Sequence, residues 1–457
     1  MTLSSAILAQ LTVIVLFATV IFFVAYRLPQ VISSSALLII IPIQPVDTRF
    51  ASANVFLTYV IFLAMLLRGE NIRLPLLPHF LVLLLCYFIS MSFVHRALYL
   101  QHGVYMIAVI SGYMVLCLAH ELTMRLQHPG EIVNIFFAMN IVVIIYCAIQ
   151  MAAGPGVKVI PFGIDEMTMI PGRDDNRLTG PFAATGVTSE FFVILILLLV
   201  YRLLITQGIW LRIGIILLAG INLAFLVATG NRGGFLSLIG GAALFLWLLR
   251  KELGFRRVLQ LTTMGIVLVS IASAIIVNYS EFGRLFTRLE ATTLEEGIPD
   301  TRQQAWPQAW ERIKERPIFG HGPRLMMEGG EDGMEYPGWE YMQYPHSLYL
   351  FLLATVGIVG SIAFLIFLLT PMARCWRARL TPNVSVEDRA FIKTGIVIFV
   401  VVMVDQIKVE FMRINLVDYW HFIFALLGVF VAACDRARAE AKVHAFAKAN
   451  RNRACEA

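Results

Sequence analysis

The chain has 457 residues, 59% of them hydrophobic and 14% charged, with a formal net charge of +6 and a mean hydropathy of +0.77. A soluble globular domain is about 25% charged, so this composition excludes that class and leaves a polytopic membrane protein. The positive balance implies no nucleic-acid partner, because the basic residues sort by predicted topology.

About 20 apolar residues cross a bilayer as a helix. Spans are predicted near 6–26, 31–46, 51–67, 76–94, 103–119, 132–153, 186–206, 210–228, 233–249, 261–279, 346–370, 391–407 and 416–434. The second is short and holds Pro42 and Pro45, so the expected fold is an all-α bundle of 12–13 transmembrane helices. Residues 1–26 lack a basic start and a small-residue cleavage site, so they read as a span rather than a signal peptide. Four regions follow: 1–279 with ten spans and the polar loop 154–185, a long polar loop domain at 280–345, the closing spans at 346–434, and a basic tail at 435–457. Cys86, Cys117 and Cys147 lie in apolar segments, and Cys375, Cys434 and Cys455 in basic stretches. Neither a disulfide framework nor a metal-ligand spacing is visible.

Lys and Arg set the orientation. With the C-terminal tail cytoplasmic, the predicted inside segments hold 21 of these residues and the short outside segments 8. That bias puts the long loop outside the cytoplasm. The N-terminus is then outside with thirteen spans and inside with twelve. Two spans separate loop 154–185 from the turn Thr229-Gly230-Asn231-Arg232-Gly233-Gly234, and two more separate that turn from the long loop. All three polar stretches are therefore expected on one membrane face.

The long loop holds seven basic and twelve acidic residues. Asp300 or Thr301 is placed to cap a helix, with Gln303 three residues after Asp300. Trp306, Trp310 and Ile313 then share a face, which suits a helix at the membrane interface. Pro307 implies a kink or a late start, and Arg316-Pro317 a stop. A tight turn follows at Pro317-Ile318-Phe319-Gly320-His321-Gly322-Pro323, and then an acidic, glycine-rich stretch from Glu328 to Glu340.

Three residues stand out as carriers of chemistry. Arg232 sits among glycines at the outer end of two spans. An arginine there either forks onto a phosphate or snorkels to lipid head groups. Arg302 lies near the start of the amphipathic segment, where a helix N-terminus attracts anions; the alternative is a solvated salt-bridge face with Arg312, Lys314 and Arg316. His346 opens the span after Pro345. An imidazole, with an ordinary pKa of about 6.5, suits removal of a proton from a hydroxyl group; the alternative is a bond to a nearby carbonyl. Arg173, Arg177 and His321 are further substrate-contact candidates, with Asp174 and Asp175 available to pair with the arginines and His321 also readable as structural within its turn. Asp405, Lys408, Glu410 and Arg413 cluster at the outer end of a span, where mutual pairing is the simpler account. The carboxylates form no tidy metal motif, and no cofactor is expected.

The turn Thr229–Gly234, the stretch Arg302…Trp310…Pro317-Ile-Phe-Gly-His-Gly and His346-Ser-Leu-Tyr-Leu…Gly357-Ile-Val-Gly360 together resemble the O-antigen ligase and O-antigen polymerase superfamily of bacterial inner-membrane enzymes. The resemblance covers roughly Arg177 to Arg374. It implies a bundle like that of the C-type membrane glycosyltransferases, with one long periplasmic loop domain. It implies a metal-independent glycosyltransferase that moves a glycan from undecaprenyl diphosphate to a hydroxyl acceptor at the periplasmic face. The acceptor would be lipid A core, another glycan or another hydroxyl compound, with membrane lipids as surroundings. The two essential arginines and one histidine of the ligases fall on Arg232, Arg302 and His346. This chain has Asn-Arg-Gly where many relatives have Ser-Arg-Gly, and His-Ser where many have His-Asn. Its order of Arg, Arg and His is the ligase pattern. A repeat-unit polymerase, a pilin-type protein glycosyltransferase, a lipid-linked glycan flippase and an inert export scaffold are the competing readings.

Overall fold

A computed structural model of the chain describes residues 18–43, 53–94, 96–154, 157–160, 163–166, 177–279, 294–295, 298–299, 302–303, 305–324, 344–382 and 384–456. Thirteen α-helices organise them: α1 (Ala18–Arg27), α2 (Gln30–Ile40), α3 (Ala53–Leu67), α4 (Leu77–Ser92), α5 (Tyr99–Arg125), α6 (Pro129–Ala153), α7 (Thr185–Ile205), α8 (Ile209–Ala228), α9 (Arg232–Tyr279), α10 (Ala305–Glu315), α11 (Leu348–Ala378), α12 (Val386–Asp405) and α13 (Val417–Glu456). Two short antiparallel ribbons lie in the polar loops. They pair β1 (Val157–Ile160) with β2 (Gly163–Glu166), and β3 (Leu294–Glu295) with β4 (Ile298–Pro299). Among the described residues, seven helices are long and apolar enough to cross a membrane, in α5, α6, α7, α8, the first part of α9, α11 and α13. The chain is a multi-pass membrane protein.

The bundle is built on α13 and α5. The apolar stretch 417–434 at the start of α13 is wholly buried. Trp420 is enclosed there, with the Tyr105 ring 5.2 Å away edge-on. Phe430 adds a contact to Phe391 of α12 at 5.0 Å. A helix apolar all round belongs inside a bundle, and α13 is the shaft around which α5, α11 and α12 pack.

Most helices match the predicted spans to within a few residues. The exceptions are α13, which continues past the predicted span 416–434 to Glu456, and α9. Two spans, 233–249 and 261–279, were expected with a turn between them, whereas α9 runs unbroken for 48 residues. The intervening Arg250-Lys251-Glu252-Leu253 is rich in strong helix formers and contains no proline. At a rise of about 1.5 Å per residue the helix is far longer than the roughly 30 Å hydrocarbon layer. The expected topology between the Thr229–Gly234 turn and the long loop is therefore not produced by a turn at Arg250–Arg257.

The long loop contains α10, which starts after Arg302 and Gln303, so Pro307 falls in its first turn, where it costs no hydrogen bond. Its buried face is Ala305, Ala309 and Ile313, packed on Leu350 and Ala354 of α11. The tryptophan face is corrected: Trp310 is 49% exposed, while Trp306 packs against the cluster and donates from Nε1 to Pro345 O at 2.8 Å. The small side chains of Ala305 and Ala309, at i and i+4, let α10 lie close to α11, which turns the larger Trp310 outward.

The turn after α10 plugs a break in α11. Gly357 has φ +65°, a left-handed value inside a helix that otherwise continues. The freed backbone groups are taken up by Pro317–Gly322. His321 N donates to Ala354 O at 3.0 Å, Gly322 N to Thr355 O at 2.9 Å, and Ile358 N to Pro317 O at 2.8 Å. Backbone polar groups at membrane depth must be satisfied internally, and here a polar loop does so. A Cβ on Gly320 would strike Thr355, and one on Gly357 would strike Ile318 and Phe319. The Pro-Ile-Phe-Gly-His-Gly and Gly-Ile-Val-Gly stretches are thus two halves of one docking contact.

Candidate active site

Arg232 is the first residue of α9, and its position follows from the turn before it. Asn231 caps the helix, its Oδ1 accepting from Gly234 N at 3.1 Å. Serine and asparagine are both strong N-caps, so the asparagine at this position keeps the turn's geometry. The segment that begins at Arg177 lies on the same turn. Leu178 N donates to Ala228 O at 3.1 Å, and the Arg177 stem lies 3.3 Å from where a Cβ on Gly230 would be. Gln150 of α6 holds this segment through Thr179 and Gly180. Arg177 is thereby brought to Gly230, in the turn that leads into Arg232. Arg173 lies outside the described residues, as do Asp300, Thr301 and the acidic stretch Glu328 to Glu340.

The organiser of the site is the loop between α12 and α13. Lys408 O accepts from Nη2 of Arg302 at 3.0 Å. Leu348 N donates to Gln406 O at 2.9 Å and to Val409 O at 3.1 Å, which pins the start of α11 and His346 to the same loop. The Lys408 side chain crosses Gly233, where a Cβ would collide with its Nζ, Cε and Cδ. One loop therefore touches the elements carrying Arg232, Arg302 and His346.

Electrostatics link the same groups. Burial lowers the pKa of the Arg302 guanidinium; Glu410 opposes that shift and the positive charge of Arg232 adds to it. Glu410 is 2% exposed and pairs with Arg413 Nε at 2.5 Å. Burial pushes its carboxyl up to about 7, against the pull of Arg413 and Arg302. Its Oε1 faces Nδ1 of His346 at 3.7 Å. The Arg413 guanidinium also stacks on Tyr344, 3.8 Å from the ring centre. Asp405 pairs with Lys408 at 2.6 Å and accepts from Ser237 Oγ at 2.5 Å. The expected pairing within Asp405–Arg413 is therefore present, and Glu410 does more than pair, because it faces the imidazole.

His346 has φ +47°, left-handed for a non-glycine residue. Such a backbone costs about 1–3 kcal/mol and persists where the surroundings hold it. Pro345 O is held by Trp306 and Leu348 N by the α12–α13 loop. The imidazole is 48% exposed, so one face is open to an incoming molecule. His321 is placed differently. Its Nε2 donates to Arg312 O at 2.9 Å and so ties the turn back to the last turn of α10, an arrangement that favours the structural reading over substrate contact.

The site thus has a half-exposed imidazole facing a buried carboxyl, and that carboxyl in turn interacts with Arg302, which also feels the charge of Arg232. Residues 217–365 match the family model described as O-antigen ligase, a stretch that contains Arg232, Arg302 and His346. Over this third of its length the chain is similar to the O-antigen ligase family. No curated protein matches the chain. That similarity supports a role in polysaccharide biosynthesis with an activity of the glycosyl-transfer type. In the sequence Glu410 and Lys408 stand out only as members of a charge cluster at the end of an apolar span, with mutual pairing as the simpler account; the contact of Glu410 with His346 carries no sequence signal.

Proposed function

We propose that the chain is a glycosyltransferase of the O-antigen ligase type. It moves a glycan from undecaprenyl diphosphate to a hydroxyl acceptor, lipid A core being the leading class, at the periplasmic face of the bacterial inner membrane. The observation that carries this reading is the meeting of Arg232, Arg302 and His346 around the Asp405–Arg413 loop.

The acceptor oxygen attacks the anomeric carbon of the donor. The bond from that carbon to the diphosphate oxygen breaks, and its electron pair leaves with the diphosphate. The hydroxyl proton passes to Nε2 of His346, since Nδ1 faces Glu410. A carboxylate on Nδ1 sets the tautomer and steadies the imidazolium that forms, as in other base–carboxylate pairs. Arg232 and Arg302 neutralise the charge growing on the leaving diphosphate; preorganised cations aimed at developing charge are usually a large part of catalysis. Arg177 is a further contact to the same anion. The arginines supply the positive charge, so the reading needs no metal.

The test is a deletion strain together with transfer by the purified protein from an undecaprenyl-diphosphate glycan to lipid A core. Accumulation of lipid-linked polymer in the strain, with transfer in vitro, is expected. Accumulation of single lipid-linked repeats would assign a polymerase instead, and absence of transfer to any hydroxyl acceptor would overturn the reading.

A further inference from the structure

Glu190, in α7, and Gln406, just past the end of α12, are both fully buried, and Gln406 Nε2 donates to Glu190 Oε2 at 2.9 Å. Asp405, Lys408 and Tyr419 also interact with Glu190. A buried carboxyl is costly unless it is bonded, and an ionisable group in a membrane-spanning helix marks function by default. The other polar groups of Gln406 are spent on the site. Its side-chain Oε1 accepts from Phe411 N at 3.3 Å, and its main-chain O accepts from Leu348 N at 2.9 Å. Phe411 follows Glu410, and Leu348 lies two residues after His346. One residue therefore holds both members of the imidazole–carboxyl pair.

The Glu190 end of the bond is fixed to the arginine turn. Gly186, Ser189 and Glu190 share one face of α7. A Cβ on Gly186 would stand 2.9 Å from Cγ2 of Val409 and 3.6 Å from Nδ2 of Asn231, and a Cβ on Gly234 would stand 2.6 Å from Oγ of Ser189. The start of α7 thus packs directly on the turn that presents Arg232, while Glu190 ties it to the loop that holds His346 and Glu410.

We propose that the Glu190–Gln406 bond sets the spacing between Arg232 and the His346–Glu410 pair, and so between the leaving diphosphate and the attacking hydroxyl. The proposal rests on the glycosyl-transfer reading above and adds to it the link that registers the two halves of the site. Glu190 and Gln406 are positioning residues, since they touch each other and the site's backbone rather than the substrate. The bond needs an amide opposite a carboxyl in either order. A carboxyl at position 406 still accepts from Phe411 N, and an amide at position 190 supplies the donor.

The full-length protein in detergent is assayed for transfer from an undecaprenyl-diphosphate glycan to lipid A core, with rates normalised to folded protein. Wild type, Gln406→Asn, Gln406→Glu and the double variant Glu190→Gln/Gln406→Glu are compared. Because a misplacement of about 1 Å costs up to about 10²-fold in rate, turnover at saturating donor is expected to fall about tenfold or more in both single variants. Gln406→Asn is one methylene short, and Gln406→Glu sets carboxyl against carboxyl. Donor KM stays near the wild-type value, and the double variant, with the order of the bond reversed, recovers most of the turnover. A purely structural role would lower melting temperature and folded yield while leaving the turnover of folded molecules unchanged. If Gln406→Glu fails to fold, Gln406→Asn, which adds no charge, and the double variant carry the comparison. Wild-type turnover in Gln406→Asn, a double variant no faster than the single variants, or a loss confined to donor KM would overturn the proposal while leaving the glycosyl-transfer reading standing. Absence of transfer by wild type would overturn that reading, and this role with it.

Discussion

Nδ1 of His346 lies 3.7 Å from Oε1 of Glu410, a half-exposed imidazole above a carboxylate that is 2% exposed. The two come from different segments, one opening α11 and one in the α12–α13 loop, joined by the bonds from Leu348 N to Gln406 O and Val409 O. Arg413 takes part of the carboxylate's charge at 2.5 Å, and Arg302 interacts with it from the far side. The pair gives the imidazole a direction, with Nδ1 turned to the acid.

His346→Ala should lower the turnover of glycan transfer about 10²–10⁴-fold, the range of a general base. Glu410→Gln should lower it by a smaller factor, with the apparent affinity for donor unchanged. Initial rates on a reconstituted lipid-linked donor measure both. Full activity of His346→Ala would remove the base assignment.

Glu410 also predicts a pH dependence. Its folded-state pKa of about 7 is above the ordinary value of 4.5, with burial as the main cause. As pH rises from 4.5, the unfolded chain loses this proton before the folded one does. Stability should therefore fall between roughly pH 4.5 and 7 and level off above. Arg413, Arg302 and His346 are the charged or titratable groups facing it. Glu410→Gln should flatten that limb in detergent melting curves, and should remove the rise in transfer rate through pH 7 that comes from forming the carboxylate.

Arg232→Lys keeps the charge and removes the planar fork that grips two oxygens at once. Transfer should fall about tenfold or more if that fork meets the diphosphate. Near-normal rates would favour a lipid-anchoring arginine. The comparison with Arg302→Lys is informative, because one guanidinium nitrogen of Arg302 is already committed to Lys408 O.

Gly357→Ala places a Cβ against Ile318 and Phe319 at a left-handed φ. The backbone strain alone is about 1–3 kcal/mol, and the clash adds to it. A lower melting temperature is expected, with Pro317–Gly322 displaced from α11 and the Gly322 amide, bonded to Thr355 O in the wild type, exchanging faster with solvent. An unchanged melting temperature would mean that the loop does not plug this break.

Trp306→Phe removes the bond to Pro345 O, worth about 0.5–1.5 kcal/mol, and loosens the backbone just before His346. It should reduce transfer more than Trp310→Phe does, since Trp310 is exposed and off the buried face of α10. Equal effects in the two variants would show that the tryptophans act as membrane anchors alone.

How much of this was legible in the chain itself differs by level. The helices were, because bilayer thickness and apolar runs are both local quantities, and α5 to α8 fall within a few residues of the predicted spans. The long helix α9 was misread. Hydropathy sees charges at Arg250–Arg257 as a turn, while helix propensity carries the backbone straight through them. The α10 face was misread in part, since periodicity groups Trp306 with Trp310 but cannot say that alanines make the closer contact.

The sequence by itself determined the membrane class, the order of Arg232, Arg302 and His346, and the stop after α10, because each depends on residues near one another along the chain. Only the tertiary structure decided what surrounds those three. Glu410 beneath His346, Lys408 across Gly233 and the Pro317–Gly322 turn in the break of α11 are contacts between segments far apart in sequence. Such contacts arise from how helices and loops close on one another, and a pattern of residue types along one chain carries no record of which ends will meet.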